Sequence, residues 1–105
     1  MNITDFIPAG KENAVTREQL CELTGLRDRA VRKLIEIARI EGAIIINEQD
    51  GAGYYISEDP KDIRRQMEIN RSRALSILRQ QKYLRRKLEE INGAGQITIE
   101  EAANG

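Results

Sequence analysis

Residues 16–39 carry two short apolar stripes at helical spacing with one glycine between them, and this spacing restricts the fold more than any other feature of the 105-residue chain. Thr16 suits an N-cap, and Leu20, Cys21 and Leu23 form the expected inward side of a first helix. Gly25 falls where the chain has to turn, a position that calls for a positive φ. Leu26 follows as the residue that fills the corner. In a second helix Val31, Leu34, Ile35 and Ala38 share one stripe, which leaves Arg27, Arg29, Arg32, Lys33 and Glu36 on the other side. With Arg39, that second helix holds five positive charges.

Leu20, the small Cys21, Gly25, Leu26, Val31 and Leu34 occupy the packing positions of the helix-turn-helix family, and the segment resembles that family in spacing as well as in pattern. The resemblance implies close crossing of the helices at Cys21, with Val31 filling the angle between them. It also implies that the second helix presents its basic side to a DNA major groove. One departure stands out. The family usually caps the second helix with Ser or Thr, whereas this chain has Arg27, which leaves the capping to Asp28 and would remove Asp28 as a base reader.

The segment after the motif narrows the subclass. Ala43-Ile44-Ile45-Ile46-Asn47 is a β-branched run, residues 48–53 are rich in turn formers, and Tyr54-Tyr55-Ile56-Ser57 is again strand-like. Upstream, Asp5 to Ile7 predicts a brief helix before Pro8, and Ala14-Val15 a single rung of strand pairing with the hairpin. This order resembles a winged helix-turn-helix domain over residues 1–58, most like the small winged-helix proteins of phages and prophages. The expected fold class is therefore mainly α with a small β-hairpin, a winged helix-turn-helix domain followed by a long C-terminal helix.

Composition points away from catalysis and toward a cytoplasmic binding protein. With no His, one Cys and no acidic cluster at ligand spacing, the chain offers neither a metal site nor a thiol-imidazole pair, so no enzyme activity and no cofactor are expected. Cys21 reads as a small core residue. No apolar run approaches the roughly 20 residues of a membrane span, no signal peptide is evident, and no cluster suggests a small-molecule ligand.

The net charge of zero resolves into three blocks. Residues 1–59 hold 7 basic and 11 acidic groups, residues 60–92 hold 10 and 4, and the tail adds 2 acids, giving −4, +6 and −2. Nonspecific affinity for DNA comes from neutralising phosphates, so an acidic body depends on the second motif helix and the C-terminal segment for attraction.

Asp59 as a cap, Pro60 at the first helical position and no further Gly or Pro before Gly93 predict a helix of about 33 residues over 59–92, about 50 Å long. Ile63, Met67, Asn70, Ala74, Ile77, Gln81, Leu84, Leu88 and Ile91 alternate in steps of four and three, a heptad seam with polar breaks at Asn70 and Gln81, widened by Leu75 and Leu78. We read 59–92 as a basic amphipathic helix for oligomerisation, with Ile63, Met67, Ala74, Ile77, Leu84, Leu88 and Ile91 in the interface. The competing reading packs its first half on the body and leaves the rest solvated. Arg64, Arg71, Arg73, Arg85 and Lys87 flank the seam, which disfavours a simple parallel zipper and leaves an antiparallel pair or a helix exchanged onto the partner's body. Residues 93–105 read as a flexible tail.

The function expected is binding of double-stranded DNA by a homodimer acting as a phage or prophage-type transcriptional regulator. Thr16 would present its N–H and hydroxyl to a phosphate, with Arg17 nearby, while Arg29, Arg32 and Lys33 reach base edges, and Arg27 counts among the DNA-binding residues of the second helix. Two alternatives remain. One is a phage replication or packaging component resembling a small terminase subunit, and the other is a winged-helix module that binds protein, which the acidic body favours.

Overall fold

The computed structural model describes residues 1–93, and helix α1 (Arg17–Thr24) begins at Thr16 for a local chemical reason. Thr16 is extended, its hydroxyl accepts the Gln19 N–H at 3.1 Å, and the Gln19 side chain accepts the Thr16 N–H at 2.8 Å. This reciprocal pair satisfies two amides that a helix start otherwise leaves unbonded. Gly25 ends the helix in the left-handed region at φ 73°, where its N–H donates to the Cys21 carbonyl. Helix α2 (Asp28–Ile40) follows after the three residues Gly25, Leu26 and Arg27.

Leu20, Val31 and Ile35 are buried between these helices, with Cys21, Leu26, Leu34 and Ala38 packed against them. Leu23 departs from its expected inward place and is 58% exposed. The inward face of α1 is set by Leu20, Cys21 and Thr24. The Thr24 hydroxyl donates to the Leu20 carbonyl at 2.7 Å and accepts the Leu26 N–H at 3.2 Å, and with α1 packed through Leu20 and Cys21 the helical period leaves Leu23 toward solvent. The expected cap at Asp28 is also absent. Arg27 occupies the N-cap without a side-chain hydrogen bond, and Asp28 is the first helical residue.

The N-terminal turn is a 3₁₀ helix at Ile3–Phe6, earlier than the predicted 5–7, because the Asn2 side chain accepts the Thr4 N–H and starts it sooner. Ile3 and Ile7 from this segment complete the core with Ile45 and Tyr54. A second 3₁₀ turn at Lys11–Asn13, not anticipated, leads back to Val15.

Strands β1 (Ile45–Ile46) and β2 (Tyr55–Ile56) form an antiparallel hairpin, pairing Ile45 with Ile56 and Ile46 with Tyr55. Two residues per strand cannot hold a register alone. On one flank Val15 and Tyr54 exchange backbone hydrogen bonds at 3.0 and 2.6 Å, the expected single rung, and Ile56 bonds Pro8 and Gly10. Both faces of the hairpin are buried, Ile45 in the main core and Ile46 and Tyr55 on the opposite face.

Helix α3 (Pro60–Asn92) starts at Asp59, whose carboxylate accepts the Lys61 N–H at 2.9 Å. Ser57 braces this start by donating to Asp62 at 2.7 Å and accepting the Asp59 N–H at 3.0 Å. One compact unit comprises Met1–Ile69 and so takes in the first turns of α3, beyond the boundary at 58 expected from sequence. There Gln66 is buried and its side-chain oxygen accepts the Asn47 N–H at 2.8 Å. Ile63 is partly buried, while Met67 is 64% exposed. In the second unit, from Asn70, the helix carries Ala74, Ile77, Leu84, Leu88 and Ile91 exposed. Apart from Gly93, the tail expected over 93–105 lies outside the described residues. No helix among the described residues is long and apolar enough to cross a membrane.

Candidate nucleic-acid interface

The exposed side of α2 is defined by its buried one. Val31, Leu34, Ile35 and Ala38 face the core, so Arg29, Arg32, Lys33 and Glu36, spaced i, i+3, i+4 and i+7, lie together on the opposite face. All four are exposed. Among the described residues no acid pairs with Arg27, Arg29 or Arg32, and Lys33 meets Glu36 only at 3.7 Å with both side chains well exposed. Such a pair contributes little and releases its cation readily.

Two cations counted on sequence serve the fold instead. Arg39 donates to the Ile45 carbonyl through Nε at 3.2 Å and Nη2 at 2.9 Å, and its guanidinium lies 5.9 Å from the centre of the Tyr54 ring. It fastens the last turn of α2 to β1. Arg17 forms an ion pair with Asp28, the first residue of α2. Asp28, and after it the Tyr54 hydroxyl, holds the Arg17 guanidinium above its ordinary pKa. Arg17 lies three and four residues before Leu20 and Cys21, so it borders the face of α1 that packs on α2 while staying exposed. Both side chains of the pair remain about half exposed (44% and 52%).

Thr16 is only half available. Its N–H is taken by Gln19, and its hydroxyl accepts from Gln19 while keeping its own hydrogen to donate. The residues the structure brings together are therefore Arg29, Arg32 and Lys33 on one helical face, with Arg27 at the start of that helix.

The hairpin turn is acidic and internally neutralised. The Glu48 side chain is 6% exposed and meets Lys11 at 2.5 Å, the Tyr55 hydroxyl at 3.0 Å and Arg65 of α3. Lys11 also reaches Asp50 at 2.6 Å. The bond from Lys11, against the opposing effect of burial, holds the Glu48 carboxyl below its ordinary value, and Lys11 depresses Asp50 in the same way. Tyr55 is pushed up to about 12, first by burial and then by donating to Glu48. Sequence reading missed this cluster, because its members lie at 11, 48, 50, 55 and 65 and only the tertiary fold joins them.

Among the described residues no group of His, Cys, Asp or Glu is arranged to hold a metal ion. The chain matches no protein-family model, no curated protein and no solved structure.

Proposed function

We propose that the chain is a winged helix-turn-helix protein that binds double-stranded DNA as a homodimer, a transcriptional regulator of the phage or prophage type. The observation that carries this reading is the exposed α2 face of Arg29, Arg32 and Lys33, backed by a stripe buried against α1. A helix that is anchored on one side and cationic on the other suits insertion into a major groove. Arg29 and Arg32 can each bind guanine through two hydrogen bonds, and Arg27 and the Thr16 hydroxyl can reach the phosphates that flank the groove.

The hairpin takes the place of the wing in this reading. Its turn carries Glu48 and Asp50, so it rests near the backbone through main-chain N–H groups rather than entering a minor groove.

The test is fluorescence anisotropy with a random duplex, titrated at several salt concentrations. Binding whose log affinity falls linearly with log salt is expected, with a slope that drops when Arg32 and Lys33 become alanine. Absence of any salt-dependent binding favours the protein-interaction alternative, which the −4 charge of residues 1–59 supports. A ring of many subunits would favour packaging.

A further inference from the structure

Between Glu68 and Glu89 helix α3 carries seven positive charges and no negative one: Arg71, Arg73, Arg79, Lys82, Arg85, Arg86 and Lys87. All seven are exposed. Among the described residues, the one ion pair that touches this run is Lys87 with Glu90 at 3.4 Å, between two side chains about 70% exposed (71% and 68%). Among the described residues the charge is therefore almost wholly uncompensated.

The same stretch holds the apolar seam of Ala74, Ile77, Leu84 and Leu88, which Ile91 extends beyond Glu90. With Ala74, Gln81 and Leu88 in one seam position and Asn70, Ile77, Leu84 and Ile91 in the other, the flanking positions are Arg71, Leu78, Arg85 and Asn92 on one side and Arg73, Gln80 and Lys87 on the other. None is acidic. Whichever way two such helices run, no flanking position supplies a carboxylate to a facing arginine, so the usual salt bridges across a coiled coil are missing.

We infer that distal α3 pairs with the α3 of a second copy of this chain, and that this pairing is coupled to occupation of its basic flanks by phosphates. The inference rests on the DNA-binding reading for the source of those phosphates. A second copy is the occupant because the seam is self-complementary under a two-fold axis and follows a heptad. Three heptads on two helices bury on the order of 1,000 Å², the low end for a specific interface. Asn70, Ala74 and Gln81 weaken three of its layers. Pairing brings fourteen like charges onto helices about 10 Å apart, comparable with the Debye length of about 10 Å at 0.1 M salt. A marginal seam is thus opposed by a repulsion that a polyanion removes, and by linkage whatever binds the dimer's basic flanks favours the dimer.

Salt distinguishes this arrangement from an ordinary dimer. The dimerisation constant of the full chain is measured by sedimentation at 50 and 500 mM NaCl without DNA, then at 50 mM with a 20-base-pair random duplex. Without DNA, high salt should tighten dimerisation about tenfold or more, because it screens the repulsion. With duplex, dimer should form at protein concentrations where the chain alone is monomeric. A variant with Arg71, Arg73, Arg85 and Lys87 changed to Gln should dimerise without DNA at low salt and lose most of the salt effect, which separates charge repulsion from general strengthening of apolar burial by salt. A dimer that salt leaves unchanged or weakens without DNA, or a chain that saturates duplex as a monomer, overturns the coupling while leaving the DNA reading in place. Failure to bind duplex at any salt overturns the DNA reading itself, and the salt series without DNA still decides whether the seam pairs against repulsion.

Discussion

Gly53 lies directly against the backbone of Val15: a Cβ at Gly53 would stand 2.2 Å from the Val15 carbonyl oxygen and 2.7 Å from the Thr16 nitrogen, with φ at 103°. This is where the hairpin meets the segment that enters α1. The approach lets Tyr54 and Val15 exchange both of their hydrogen bonds. Gly53→Ala is expected to destabilise the fold by about 2 to 4 kcal/mol, the sum of a left-handed backbone cost and a forced main-chain shift. Gly25→Ala, at φ 73° with nothing within 4 Å, should cost only about 1 to 2 kcal/mol. Urea denaturation of the two variants checks the difference.

Replacing Arg32 and Lys33 by alanine should leave the circular dichroism spectrum and melting temperature unchanged, because both side chains project into solvent. Duplex affinity should fall by about 1 to 3 kcal/mol for each of the two side chains that reads a base. Arg17→Ala provides the contrast. Its ion pair with Asp28 is exposed, so a stability loss of no more than about 1 kcal/mol is expected, with a smaller effect on DNA affinity than at Arg32.

Acid should loosen the hairpin through Glu48. Its folded pKa lies below the ordinary 4.5, so its contribution is fully present above pH 4.5 and is lost as pH falls through the lower folded value. Melting temperature measured from pH 7 down to pH 3 should drop for the native chain, and less steeply for Glu48→Gln. At the alkaline end the sign reverses. Tyr55 has its pKa raised from 10.0 to about 12, so its contribution holds below pH 10 and fades as pH rises toward 12. Tyr55→Phe should remove that part of the alkaline limb.

Leu23 and Val31 separate an apolar residue from a core residue. Val31 is fully buried, and Val31→Asp should unfold the domain by placing an unpaired charge between α1 and α2, at a cost of several kcal/mol. Leu23→Ser should lie within about 0.5 kcal/mol of the native chain, since the side chain is exposed. Thermal melts of both variants check the inward face of α1.

The features legible in sequence were those decided within a few residues. The Thr16 cap, the left-handed Gly25, the hairpin at 45–56 and the whole of α3 from Pro60 to Asn92 depend on local geometry and on where Gly and Pro fall. Arg39, Arg17 and Glu48 were not legible, because a charged side chain carries no mark of whether it will meet solvent or a distant partner. Hydrophobicity alone misled at Leu23, because α1 packs through Leu20 and Cys21 and the helical period leaves Leu23 outside that face. At the candidate interface the helical period located Arg29, Arg32 and Lys33 on the exposed face, while the pairing of Arg17 with Asp28 and of the Thr16 amide with Gln19 appeared only with the folded chain.

The bonds from Arg39 to the Ile45 carbonyl and from the Asn47 amide to Gln66 have a consequence for how this molecule can associate. Ile45 and Asn47 point the same way along β1, on the side away from β2, where the Ile45 carbonyl accepts from Arg39 of α2 and the Asn47 N–H donates to Gln66 of α3. Across the sheet, β2 is flanked by Val15 and by Pro8 and Gly10. Among the described residues, the Ile45 carbonyl and the Asn47 N–H are thus withheld from an incoming strand, which hinders edge-to-edge growth of the kind that seeds aggregation along β1, while β2 is already flanked.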